Sequence, residues 1–289
     1  MANPDPRVGI VMITHNRVGE LLQSLDALTR LPERPRIVMV DNASTDGTAE
    51  AVAARFPAVE ILRSGENLGA AGRNLGVARL PTPFVAFSDD DTWWEPGSLR
   101  RAADLLEAHP RVAVLTARIL VNDREASVCR LLEHSPLPSE PGFPGIPLAG
   151  FLAGASVVRR SAFVDVGGFD RRFFVGGEEE VLGLDLLARG WQLRYIPELT
   201  LHHAPSTHRD VVIRHRTAVR NALWSAWLRR PFRSALRRTL LLTRGLLRDR
   251  GTREGLAAAI AGLPWILRER RAIPGEVEQM LRLLERAPR

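Results

Sequence analysis

Short apolar runs alternate with amphipathic stretches through the first half of the chain. Val8–Thr14, Ile37–Asp41, Val59–Arg63, Phe84–Ser88 and Val112–Ile119 are compact, apolar and bounded by polar or glycine-rich segments, which predicts strands. Between them, Val18–Leu31, Thr48–Phe56, Ala70–Leu80 and Ser98–His109 carry helical spacing. Apolar strands separated by helices specify an α/β fold with a mainly parallel central sheet covered on both faces. Ligands of such sheets bind beyond the carboxyl ends of the strands. From Gly150 the pattern becomes a mixed α+β section. It predicts a strand over Phe151–Val158, a short helix near Ser161, a helix over Glu179–Arg189 and a strand near Leu193–Ile196. From His208 onward the pattern is mostly helical and dense in Arg.

The 289 residues are 45% hydrophobic and 25% charged, which excludes a disordered, collagen-like or disulfide-stapled chain. Cys129 is the single cysteine, so an internal disulfide is impossible, in keeping with a reducing cytoplasm. The polar, proline-bearing start and the lack of a small-residue cleavage site predict no signal peptide. The uncharged stretch Pro141–Val158 is broken by three Pro and four Gly, and uncharged Gly255–Leu267 is too short to cross a bilayer. A cytoplasmic protein is therefore expected. All 40 basic residues are Arg, and the net charge is +7. That total hides two regions. Residues 204–289 hold 19 Arg against 7 acids, net +12, whereas residues 1–203 are net −5.

The predicted strand ends share a chemistry. The first ends in Thr14-His15-Asn16-Arg17 and the second in Asp41-Asn42-Ala43-Ser44-Thr45-Asp46-Gly47-Thr48. Glu66-Asn67-Leu68-Gly69-Ala70-Ala71-Gly72-Arg73-Asn74-Leu75-Gly76 follows the third, and the fourth ends in Ser88-Asp89-Asp90-Asp91. Each alone is explained by a cap or a turn; their convergence on one sheet edge marks a binding site. The first turn lacks G-x-G-x-x-G, and no G-x-x-x-x-G-K-[ST] exists, which argues against a nicotinamide dehydrogenase and a P-loop ATPase. Carboxylates after a strand can hold Mg²⁺ or Mn²⁺ and leave coordination positions for phosphate oxygens.

Taken in order, these motifs resemble the family 2 glycosyltransferases, which have the GT-A fold. Those that carry the resemblance are T-x-N-R, V-D-N-A-S-T-D-G-T, E-N-L-G-A-A-G-R-N-L-G and F-S-D-D-D, then G-G-F-D, G-G-E-E-E-V-L-G-L-D-L and Y-I-P-E-L-T-L-H-H, running from about Val8 to His203. The resemblance implies inverting transfer of a hexosyl or deoxyhexosyl group from a UDP-, dTDP- or GDP-linked donor to an acceptor hydroxyl, on a glycan, a lipid-linked or a small-molecule acceptor. It implies a catalytic domain over residues 1–203, with a nucleotide-sugar part to about 120 and an acceptor part over 121–203, followed by the helical region 204–289. Thr14, Asn16 and Arg17 match the turn that cradles the nucleotide, Asp41 the acid that recognises the base, and Asn67, Gly69 and Arg73 the loop near base and ribose. Asp89 and Asp91 match the D-x-D acids that hold ribose and metal, with Asp90 between them on the donor side. Asp91 and His203 are the implied ligands of Mn²⁺ or Mg²⁺. Glu179 falls on the second acid of an acidic pair, the general base; here that pair is Glu178-Glu179 instead of Glu-Asp, and both remain candidates.

Other residues leave alternatives open. Trp93 and Trp94 offer stacking faces for an acceptor and equally good packing anchors. His202 and His203 close a strand-like run, so their side chains point in opposite directions. In the tail, Trp224, Trp227, Leu228, Phe232, Leu236, Leu240 and Leu241 interleave with Arg. That stripe fits packing on the catalytic domain, peripheral contact with anionic lipid or a homodimer interface. No nucleic-acid module is recognisable, so no specific nucleic acid is expected. The competing readings are a nucleotidyltransferase, which would want a Gly- and Lys-rich phosphate loop, and a noncatalytic nucleotide-sugar- or nucleic-acid-binding protein.

Overall fold

The computed structural model describes residues 4–205, 211–244 and 250–287. Its strands are β1 (Val8–Thr14), β2 (Arg36–Asp41), β3 (Glu60–Arg63), β4 (Phe84–Asp89), β5 (Thr92–Trp94), β6 (Val112–Val121), β7 (Arg124–Glu125), β8 (Ile146–Leu148), β9 (Ser156–Arg159) and β10 (Gln192–His203). The first seven helices are α1 (Val18–Leu28), α2 (Thr48–Arg55), α3 (Gly72–Arg79), α4 (Ser98–Ala108), α5 (Ser127–Glu133), α6 (Arg160–Asp165) and α7 (Glu178–Ala188). Five more follow: α8 (Val211–Arg229), α9 (Phe232–Thr243), α10 (Arg250–Ala261), α11 (Leu263–Glu269) and α12 (Gly275–Arg286).

One sheet runs in the order β3-β2-β1-β4-β9-β6-β10-β5, with β7 on β6 and β8 on β10. β3, β2, β1 and β4 are mutually parallel, as are β6 and β10. The short strands β5, β7, β8 and β9 are antiparallel to their neighbours. The long strands carry the expected parallel pattern because each is buried on both faces: every residue of β2 after Arg36 is buried.

Several boundaries differ from expectation for local reasons. α1 stops at Leu28, because Pro32 drives the preceding chain out of helical geometry. The strand expected over Phe151–Val158 is a tight turn at Ala153–Ala155 followed by β9. That turn brings Gly154 against the end of β4, where a Cβ would lie 2.5 Å from Asp89 Oδ2. β10 runs on to His203 past an irregular register between Ile196 and Thr200, which accommodates Pro197 and its missing N–H. α7 begins one residue early, at Glu178, with Gly177 as its N-cap at φ 94°. Its first turn carries Glu178, Glu179 and Glu180, charges that suit the positive end of the helix dipole.

A main core fills both faces of the sheet. A second cluster joins Phe173 and Val181 to Leu223, Trp224, Leu228, Ala259 and Ile266. The helical tail therefore shares a core with α7, across the boundary expected at 203/204. Residues 206–210, just after that boundary, and 245–249 lie outside the described residues. The basic stripe divides: Trp224 and Leu228 are buried, whereas Phe232, Leu236, Leu240 and Leu241 are exposed.

Candidate active site

The carboxyl ends of β1, β2 and β4 meet the start of α7 and the end of β10 around a cavity of about 500 Å³. Eleven of the residues singled out from sequence line it: Thr14, Arg17, Asn67, Gly69, Arg73, Asp89, Asp90, Asp91, Glu178, Glu179 and His203.

The three successive aspartates have three environments. Asp90 points inward and is buried; it accepts hydrogen bonds from Thr14 Oγ1 at 3.2 Å and Arg17 Nη1 at 3.0 Å. Ser24 Oγ donates to its carbonyl at 2.9 Å. Burial pushes the Asp90 carboxyl up to about 7 against the pull of Arg17, with Asp91 and Asp89 adding to the rise. Burial also works against the Arg17 charge, but Asp90 and Asp91 outweigh it and hold that guanidinium more firmly protonated. Asp89 is more open and accepts from Arg73 Nη2. Arg73 is itself buried, its guanidinium 5.8 Å from the ring centres of Phe87 and Phe169. Asp91 Oδ2 lies 3.4 Å from His203 Nε2 and 3.8 Å from Arg17 Nη1.

Asp91 and His203 thus pair a hard oxygen with an imidazole nitrogen at a spacing one cation can bridge. Among the described residues no group of three or more His, Cys, Asp or Glu is arranged around a metal position. Two side chains suffice for Mg²⁺ or Mn²⁺ when diphosphate oxygens and water complete the shell, so this donor set fits such an ion.

The acid pair at α7 is distinct. Glu178 is buried, and its Oε2 has no hydrogen-bond partner. Glu179 is half-buried and accepts from the Ala153 N–H. Burial is the main cause of the rise of both carboxyls; Glu179, also repelled by Glu178, is pushed up to about 7. A carboxylate in that range is matched to taking a proton at neutral pH.

Four expected site residues lie elsewhere. Asp41 is buried and accepts from Ser44 N at 2.9 Å, and Asn16 Oδ1 accepts from Thr45 N at 2.7 Å. Both brace the turn after β2 instead of lining the cavity. Trp94 is 1% exposed, with its indole N–H donating to the Phe87 carbonyl, so it is a packing anchor. Trp93 stacks on His202 with ring centres 5.5 Å apart, also outside the cavity wall. His202 and His203 do point apart, as strand alternation requires.

The sequence reading missed His15, Asn42, Gly154 and Phe174 on the cavity wall. His15 and Asn42 sit inside the strand-end motifs, where position was a usable signal. They are tied together: His15 Nδ1 lies 2.7 Å from the Asn42 carbonyl, and Asn42 Nδ2 donates to the Gly69 carbonyl at 3.1 Å. Gly154 and Phe174 arrive from loops, and only the fold brings them here.

The sequence profile described as Glycosyl transferase family 2 matches residues 9–167. The chain belongs to glycosyl transferase family 2. It is 31% identical over 284 residues, covering 82% of this chain and 92% of the relative, to the N-acetylglucosaminyl-diphospho-decaprenol L-rhamnosyltransferase of Mycobacterium tuberculosis. It is 30% identical over 196 residues to the galactofuranosyltransferase GlfT1 of the same organism, covering 62% of this chain and 64% of that one. Among solved structures, the mannosyltransferase PcManGT of Pyrobaculum calidifontis, in complex with GDP-Man and Mn²⁺, superposes with a TM-score of 0.59 at 19% identity, covering 99% of this chain and 78% of that one. GalNAc-T7 with UDP, GalNAc and Mn²⁺ gives a TM-score of 0.59 at 13% identity, covering 76% of this chain and 47% of that one. The fold of this glycosyltransferase is GT-A, and the nucleotidyltransferase and noncatalytic readings give way. The profile ends before α7 and β10, so Glu178, Glu179 and His203 lie beyond it.

Proposed function

We propose that this glycosyltransferase moves a sugar, with inversion, from a nucleoside-diphosphate donor to an acceptor hydroxyl, using Mn²⁺ or Mg²⁺. One observation carries the reading: the aspartate run with its Arg17 and His203 partners opens into the same cavity as the elevated Glu179 carboxyl. In this reading the donor side is built from residues before about 120, and the acceptor side from residues 121–203, α7 included. Thr14, Arg17, Asn67, Gly69 and Arg73 bind the nucleotide, and Asp89 and Asp90 orient that half. Asp91 and His203 would hold the cation, which when bound offsets charge on the departing diphosphate. Glu179 takes the proton from the acceptor hydroxyl as its oxygen attacks the anomeric carbon. Burial, with repulsion from the neighbouring Glu178, keeps the Glu179 carboxyl high.

The rhamnosyltransferase relative supports a deoxyhexosyl group and a diphosphate-linked lipid acceptor as the substrate class. A lipid acceptor fits peripheral attachment at the cytoplasmic membrane face. No helix among the described residues is long and apolar enough to cross a membrane. The exposed stripe of α9 offers Phe232, Leu236 and Leu240 beside Arg233 and Arg237, a composition suited to anionic lipid.

Thermal unfolding with UDP-, dTDP- and GDP-sugars plus Mn²⁺ tests the donor class. A ligand at 100 times its Kd adds about 2.7 kcal/mol of stability. The matching donor is expected to raise the Tm, more with Mn²⁺ than without. No shift with any nucleotide sugar would overturn the donor reading. Product stereochemistry by NMR tests inversion; a retained anomeric configuration would reject it.

A further inference from the structure

In the loop that delivers Glu178 and Glu179 to the cavity, local turn bonds hold Phe174 N–H to the Arg171 carbonyl at 3.2 Å and Val175 N–H to the Phe173 carbonyl at 2.9 Å, and the strained residues need further support. Phe174, Gly176 and Gly177 all have positive φ, at 64°, 81° and 94°. A phenylalanine in that region is unfavourable and persists only when its surroundings fix it. The structure supplies two anchors. On the cavity side, the Phe174 carbonyl accepts the Ala70 N–H at 2.7 Å, which joins the loop to the donor-binding segment.

The other anchor comes from the helical tail. Asn221 of α8 is fully buried, and the two N–H groups of its Nδ2 are shared among three carbonyls within hydrogen-bond reach, Phe173 at 2.9 Å, Val175 at 3.2 Å and also Gly176. Arg220 Nε donates to Asn221 Oδ1 at 2.9 Å, which fixes the amide's orientation, and Arg220 Nη2 donates to the Phe173 carbonyl at 2.9 Å. Gly177 presses against the same residue: a Cβ there would lie 3.0 Å from Asn221 Cβ. One amide thus gathers three carbonyls of the five-residue stretch immediately before the acid pair.

We propose that Asn221 is a positioning residue for catalysis, through which α8 sets the place of the Glu178–Glu179 pair in the cavity. The inference rests on the reading of that pair as the source of the general base. It gives the tail a part in turnover that neither its Arg content nor its apolar stripe conveys. Asp at this position keeps the shape but replaces the donor with an acceptor facing three carbonyls, and Ala removes the contacts.

The test uses the full chain and the donor that wild type consumes from a UDP-, dTDP- and GDP-sugar panel with Mn²⁺. In Asn221→Asp and Asn221→Ala, kcat is expected to fall about tenfold or more, since small misplacements near the chemistry have large effects. Affinity for the free nucleoside diphosphate of that donor with Mn²⁺ is expected to stay within about threefold. Amides of 173–180 are expected to exchange hydrogen faster while sheet amides do not change. Arg220→Gln, which removes only part of the clamp, gives a smaller loss in the same direction and serves if the Asn221 variants do not fold. A folded Asn221 variant with wild-type kcat and unchanged exchange would overturn the proposal, as would equal losses of kcat and nucleotide affinity. Glu179→Gln measured alongside separates the two claims. If it retains turnover the base assignment fails, while the exchange data still report whether Asn221 holds the loop.

Discussion

Neighbouring carboxylates in this chain are given different chemistry by what surrounds them. Asp90 is sealed under Thr14 and Arg17, Asp89 is turned toward Arg73, and Asp91 meets His203. The run of three was legible in the sequence, and the family resemblance set Asp91 with His203, but the inward turn of Asp90 and the pairing of Asp89 with Arg73 were not, because they depend on partners 16 to 76 positions away in the chain. Asp41 and Asn16 show the same limit: a polar residue at a strand end can serve the turn that presents the site instead of the ligand. Two outcomes are expected at this scale. Glu179 must be ionised to accept a proton and its carboxyl is raised to about 7, so kcat/KM falls as pH drops below about 7, by about tenfold per unit once the group is mostly protonated. A pH–rate profile of the wild type checks it, and a flat profile down to pH 5 would contradict it. His203→Ala is expected to raise the Mn²⁺ concentration for half-maximal rate by at least the about 10–100-fold seen for outer-shell metal partners; an unchanged Mn²⁺ titration would remove His203 from the ligand set.

Elements with one dominant period were readable, and elements shaped by a distant contact were not. β1, β2 and β4 are continuous apolar runs because both faces are covered, and their bounds agree with the periodicity to within a residue. The turn before β9 and the bulge in β10 break that rule, since Gly154 must pass close to Asp89 and Pro197 cannot join the ladder. The tail helices are held by a buried ionic network that no local pattern announces. Arg230 donates to both oxygens of Glu278 at 3.0 Å, and Ser234 Oγ adds a bond at 2.6 Å. Arg230 keeps its Glu285 partner when Glu278 is removed, so Glu278→Ala costs the lost charge-assisted hydrogen bonds and is expected to lower stability by about 1–3 kcal/mol. Denaturant unfolding measures this, and a loss under about 1 kcal/mol would mean that α12 is not anchored there.

The whole molecule is an acidic catalytic sheet joined to a basic helical tail, and that asymmetry was visible as a charge count alone. Where the tail docks was not, because Phe173 and Val181 lie in a different part of the chain from Trp224 and Leu228, yet share their core. Trp224, Trp227 and Leu228 of the Arg-flanked stripe pack in the core shared with Phe173 and Val181, and the part on α9 stays open. Co-sedimentation with phosphatidylglycerol vesicles is expected at low salt, to weaken with added salt, and to drop in Leu236→Gln/Leu240→Gln. Equal sedimentation of wild type and variant would exclude α9 as the contact.

The fold and the family make this chain a glycosyltransferase, and the proposed mechanism has one carboxylate take the acceptor's proton. The turnover of Glu179→Gln at saturating donor, compared with wild type at the same pH, tests this most directly. A loss of about 10²–10⁴-fold with donor affinity retained is the expected result. Turnover within about threefold of wild type would contradict Glu179 as the general base.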